Sequence, residues 1–209
     1  MPPSNTPPPP ADLAHFRTHP WCATLLDDPS YTISDMTSRH AKPSTEDLLF
    51  GLILKTPSTI SHCVIQIPHP KSPTAQVPSL RALLALGKDL NGYPHVCHGG
   101  IVATILDEAM GVLIGARQAR AEELAVREGK EPGRVPTSLT GELSVRYLRP
   151  VATPQAVLVR VEVEREEGRK IWLVARMEDG EGVRLAEGRA VFIQMREERD
   201  KGRPMRPRI

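Results

Sequence analysis

The chain has 209 residues, 40% of them hydrophobic, enough to bury roughly two-thirds to 70% of its unfolded surface in one domain without disulfide or metal support. Charged residues make up 25% and the formal net charge is only +2, which excludes the broad basic footprint of a general nucleic-acid or membrane-surface binder and favours a small-molecule partner. The three scattered cysteines, Cys22, Cys63 and Cys97, read as free thiols in a reducing compartment, and with no targeting signal a cytoplasmic location is expected.

Met1 to Pro10 carries six prolines among small polar residues, a composition with too few apolar side chains to offset ordering, so a disordered tail is expected there. Residues 11–46 are expected to form an N-terminal helical cover. Leu13, Phe16, Trp21 and Leu25 recur at near-helical spacing, and Pro20 breaks the run into one or two short turns. The stretches Asp47–Lys55 and Ser61–Ile67 are rich in leucine and β-branched residues and read as two strands, with Arg81–Leu86 as a weaker third.

Past Gly99 and Gly100 the pattern changes. Ile101 to Arg117 is apolar on nearly all sides, which predicts a buried central helix, continued to Lys130 by charged residues and ended by Gly129 and Pro132. The apolar stretch Gly99–Gly115 holds Asp107 and Glu108 and is shorter than the roughly 20 residues a bilayer span needs, so no membrane span is expected. Four strand-like segments follow, near Ser138–Leu148, Gln155–Glu166, Arg169–Glu178 and Arg184–Met195. The second alternates Val157, Val159, Val161 and Val163 with largely polar residues, as a half-buried antiparallel strand does, and Glu167-Gly168 turns it into the next. Residues 196–209, with six basic side chains, three acidic ones and two prolines, read as a mobile basic tail. The fold class is therefore α+β, a sheet wrapped on one helix.

The chemistry concentrates in Asn91–Gly111, NGYPHVCHGGIVATILDEAMG. His98, Gly99 and Gly100 stand where a loop enters the helix, whose first N–H groups lack intrahelical acceptors and can hold an oxyanion. A plain glycine-containing helix entry would show the same residues. Asp107 and Glu108 lie in mid-helix, where an unpartnered carboxylate would cost several kcal/mol. Since the two are roughly 100° apart, only one faces a given cleft. Asp107 is the functional candidate, and Glu108 reads as a solvent-facing residue. Gly99 and Asp107 are separated by about 12 Å of helix, too far to touch one carbonyl. Two copies packed with their central helices antiparallel would bring Gly99 of one beside Asp107 of the other, which predicts an obligate homodimer with two equivalent sites.

The HGG motif, Asp107 with Ala109 and Gly111, and the strand TGELSVRYLRP from Thr140 to Pro150 resemble the hotdog-fold acyl-CoA thioesterases, in particular the phenylacetate-pathway and mammalian thioesterase-superfamily branch. The resemblance spans about Leu48 to Met195 and places a hotdog domain at 47–195, with a long central helix wrapped by a curved antiparallel sheet. It implies hydrolysis of an acyl-CoA or of a carrier-protein-bound acyl chain at the interface of a homodimer or tetramer, without cofactor or metal. It further implies that the Gly99 N–H polarises the thioester carbonyl, with His98 and Gly100 shaping the loop. Asp107 of the partner chain acts as general base or as nucleophile through an anhydride, and Thr140 positions the attacking water. The asparagine that family members often carry six positions before the histidine is replaced here by Gly92, beside Asn91, which is taken as the substrate-binding candidate. Arg146 and Arg149, with Arg169 and Lys170, are candidates to meet coenzyme A phosphates. A non-catalytic acyl-binding module and a hotdog tailoring enzyme such as a dehydratase remain open. His95, Cys97 and His98 are too closely spaced for structural zinc, and neither Cys63 nor Cys97 has the local signature of a nucleophile.

Overall fold

A computed structural model describes residues 7–131 and 137–195. The disorder expected for residues 1–6, the part played by Pro132 in ending the helix and the mobile tail expected for 196–209 lie outside the described residues.

Two short helices open the fold, α1 (Pro10–Arg17) and α2 (Pro20–Leu26), each with proline in its first turn. Proline's missing N–H costs nothing at that position and its fixed φ suits the helix, so Pro20 ends one helix by starting the next. The strands are β1 (Tyr31–Ser34), β2 (Ile60–Pro68), β3 (Ser79–Leu86), β4 (Asn91–Tyr93), β5 (Val96–Cys97), β6 (Ser138–Tyr147), β7 (Gln155–Glu167), β8 (Lys170–Glu178) and β9 (Arg184–Gln194). Seven form one antiparallel sheet in the order β1-β2-β3-β7-β8-β9-β6, and β4 and β5 make a separate hairpin. The long helix α3 (Gly99–Arg127) lies against the sheet. This helix wrapped by an antiparallel sheet is the hotdog fold.

One expectation fails. Asp47–Lys55 is not a strand: Leu49–Ile53 forms a wide helical turn, closed by the Leu54 N–H donating to the Leu49 carbonyl at 2.8 Å. Phe50 and Leu54 are buried, while Leu49, Leu52 and Ile53 are exposed. A buried pair four residues apart is the spacing of a helix, and leucine-rich composition alone does not separate it from a strand. Residues 11–46 also supply more than a cover, since β1 extends the sheet at its edge.

Strand alternation divides the sheet into two faces. Ile65, Leu84, Val157, Val159, Val161 and Leu173 face α3 and pack with Val102, Ile105, Leu106, Met110 and Leu113 in the main core. Val64, Leu83, Ala85 and Leu158 face the other way and are covered by Phe16, Cys22 and Leu26 of α1 and α2. By length and composition α3 could cross a membrane, but here its apolar residues are packed under the sheet. Its end is sharply defined. Gly129 takes φ 71°, the Gly129 N–H donates to the Val126 carbonyl and the Lys130 N–H to the Ala125 carbonyl, so a left-handed glycine closes the last turn.

Candidate active site

The entry to α3 is held from several sides. The His98 N–H donates to the Leu90 carbonyl and the Cys97 N–H to the Val151 carbonyl, each at 2.8 Å, fixing the chain as it leaves the β4–β5 hairpin. His98 is the N-cap, and its Nδ1 accepts the Gly100 N–H at 3.0 Å. That bond assigns the unprotonated nitrogen as Nδ1, leaving the proton of the neutral ring on Nε2. The Ile101 and Val102 N–H groups both return to the His98 carbonyl. Among the described residues, the Gly99 N–H is therefore the one first-turn amide left without an acceptor, as an oxyanion donor must be. The Tyr147 hydroxyl donates to the Gly99 carbonyl at 2.9 Å and ties this turn to β6.

Gly92 stands where the resemblance leads one to expect asparagine, and the packing explains why. A Cβ on Gly92 would lie 2.7 Å from His98 Cδ2 and 3.0 Å from His98 Cα. The backbone at 92 is thus pressed against the capping histidine, which no larger residue permits without displacing it. Asn91 is exposed, and its Oδ1 accepts from the Thr153 hydroxyl.

About 12 Å further along the helix lies the second group. The Thr140 hydroxyl donates to Asp107 Oδ1 at 2.8 Å, within the same chain. Thr140 precedes a bulge in β6, where Thr140 pairs with Phe192 and Glu142 with Val191, so Gly141 has no partner of its own. Bulges re-aim neighbouring side chains, and this one sits next to the threonine that reaches the helix. The structure thus brings Asp107 to Thr140, and His98 to Gly99 and Gly100, but leaves the two groups apart in one chain. Arg146 and Arg149 are exposed. Arg149, with Leu148, Glu178, Gly182, Val183 and Arg184, lines a shallow open depression of about 710 Å³ that touches neither Asp107 nor Thr140.

Glu108 is the residue that sequence reasoning misplaced. It is not solvent-facing but partly buried, on the wall of a cavity of about 360 Å³. The other walls come from Ser38, Lys42 and Asp47, from Gly111 and Gly115 of the helix, and from Ser138 and Phe192. Burial pushes the Glu108 carboxyl up to about 7, with Asp47 and Asp107 adding to the rise. The Ser38 hydroxyl and Lys42 oppose it, although Ser38 Oγ reaches no hydrogen-bonding geometry with Glu108. Its one signal in the sequence was an acid within an apolar run, the same signal that marked Asp107.

The three cysteines are buried and unpaired. Burial pushes the Cys22 and Cys63 thiols up to about 12 and that of Cys97 up to about 11, so none offers a thiolate at neutral pH. Among the described residues, no three His, Cys, Asp or Glu side chains are grouped to hold a metal ion.

Residues 95–186, which carry both halves of this site, match the family model of the thioesterase superfamily. Through this segment the chain is similar to members of that superfamily. A Lecanicillium sp. protein named verlamelin biosynthesis protein B is 29% identical over 138 residues, covering 55% of this chain and 57% of that protein. An acyl-coenzyme A thioesterase of Mus musculus is 27% identical over 110 residues, covering 52% and 40%. The chain spans about half the length of the relatives it matches. Among solved structures, a hypothetical thioesterase protein with coenzyme A from Streptococcus pneumoniae TIGR4 aligns with a TM-score of 0.47 at 12% identity, over 57% of this chain and 82% of that one.

Proposed function

We propose that this chain is a member of the thioesterase superfamily and hydrolyses acyl thioesters, acyl-CoA foremost, at two sites shared between the subunits of a homodimer. The observation that carries the reading is the Thr140–Asp107 hydrogen bond on the long helix, inside the family segment. The Thr140 hydroxyl spends its proton on Asp107 Oδ1 and keeps its lone pairs for a water, whose own proton is directed to the free Oδ2. The water oxygen attacks the thioester carbon, and the carbonyl oxygen becomes an oxyanion. The Gly99 N–H of the second subunit holds that charge at the positive end of its helix. Collapse breaks the C–S bond and releases the thiol, which takes back the proton from Asp107, together with the carboxylic acid. Attack by Asp107 itself, through an anhydride opened by water, uses the same groups. Tyr147, bonded to the Gly99 end of the helix, is followed in the chain by Leu148 and Arg149 of the depression, where Arg149 and Arg184 are suited to coenzyme A phosphates.

The test mixes two disabled variants. Asp107→Ala removes the acid, and Gly99→Pro removes the amide hydrogen at a helix position that accepts proline. Each homodimer is expected to release no thiol from an acyl-CoA panel. Co-refolded, half the dimers are mixed and each mixed dimer holds one intact site, so about a quarter of wild-type activity returns. Failure to recover activity, with mixed dimers demonstrably present, overturns the shared site. A wild type that releases no thiol from any acyl-CoA overturns the activity.

A further inference from the structure

The cavity beside Glu108 is not used by the hydrolysis described above, yet it adjoins that machinery. Glu108 follows Asp107 on the helix, and Ser138 on the cavity wall lies two residues before Thr140 on β6, hence on the same face of the strand. Its facing wall is the segment around Ser38, Lys42 and Asp47, outside the 95–186 family segment. Most of this lining is polar. Ser38 is 5% exposed, its Oγ is buried without a hydrogen-bond partner, and the residue lines the cavity. A buried hydroxyl left without a partner is costly and marks a place where a ligand or water completes the structure.

We infer that this cavity receives the acyl chain and recognises a hydroxyl group on it, with Ser38 Oγ and the Glu108 carboxyl as hydrogen-bonding partners; this rests on the thioesterase reading. The charges on the walls select against a carboxylate. Lys42 donates to Glu46 at 2.8 Å and also to Asp47, so the one lysine is already committed, while Glu108 and Glu122 stand on the other side. A hydroxyl both donates and accepts, which suits a serine and a carboxyl that is half protonated near neutral pH. An unsubstituted chain would leave both groups unpaired as it displaced water.

The experiment measures kcat/KM on decanoyl-CoA and on hydroxydecanoyl-CoAs with the hydroxyl at successive carbons. Wild type is expected to prefer at least one hydroxylated position by about tenfold, the worth of one or two hydrogen bonds. Ser38→Ala and Glu108→Leu are each expected to bring that ratio to within about twofold of unity. Decanoyl-CoA equal to or better than every hydroxylated substrate overturns the inference, as does a preference that survives both substitutions. Calorimetric binding of the same CoA esters to Asp107→Ala decides the matter independently of turnover. If wild type hydrolyses nothing but Asp107→Ala still binds a hydroxydecanoyl-CoA preferentially, and loses the preference on adding Ser38→Ala, the catalytic reading falls and the subsite stands.

Discussion

Asp107 and Glu108 are consecutive acids on one helix, and the 100° between them puts them in different chemical worlds. Asp107 turns toward β6, where an exposed threonine hydroxyl donates to it. Glu108 turns toward Ser38 and Asp47 into a cavity that raises its proton affinity. A base for water must stay ionised at working pH, whereas a group that recognises a neutral hydroxyl gains by keeping its proton. On the proposed reading the same functional group is divided between two tasks by surroundings alone, and the comparison is broken if the two acids prove interchangeable.

The largest effect is expected from Asp107. Asp107→Ala should lower kcat at least ~100-fold with fold and dimer intact, as measured by thiol release and sedimentation. Asp107→Asn sharpens the point. Its amide oxygen can still accept from Thr140, so geometry is kept while basicity is lost, and it should fall as far as alanine. A rate near wild type in Asp107→Asn would reduce Asp107 to a positioning residue.

How far this division was visible in the sequence depends on how far each signal had to reach. The HGG helix entry and the acid in an apolar run are local features, and both stand where they were expected. The four C-terminal strands were legible for the same reason, because alternation along one segment suffices to find them. Glu108 was not legible, since what makes it special is a wall supplied by Ser38, Lys42 and Asp47, some sixty residues earlier, which no periodicity reports. The Thr140–Asp107 bond joins residues 33 apart, and the family resemblance gave Thr140 a water-positioning role without pointing to this bond. The reason for Gly92 emerges only once the β4–β5 hairpin folds it onto His98. In Leu49–Ile53 a short leucine-rich run fits strand and helix equally well, and tertiary burial of Phe50 and Leu54 decided between them.

The second prediction uses the raised Glu108 carboxyl. An acid that titrates near 4.5 unfolded and about 7 folded binds more protons in the folded state between those values, so its contribution to stability is greatest at the acid end and lost as pH rises. Glu108→Gln should therefore exceed wild type in stability by about 3 kcal/mol at pH 8, with the gain vanishing toward pH 4.5. Thermal melts across that range check it. A difference between the two proteins that does not change with pH would mean that Glu108 is as well solvated as an ordinary surface acid.

The smallest effect belongs to Thr140, which connects β6 to the Asp107 side of the helix. Thr140→Val keeps shape and β-branching but deletes the hydroxyl, so Asp107 loses one donor and the water one anchor. A fall of about tenfold in kcat is expected, the equivalent of one hydrogen bond to a charged group. Thr140→Ser restores the hydroxyl without the methyl and should return most of the rate. If the serine variant falls as far as the valine one, the hydroxyl alone does not sustain the rate and its assigned role fails.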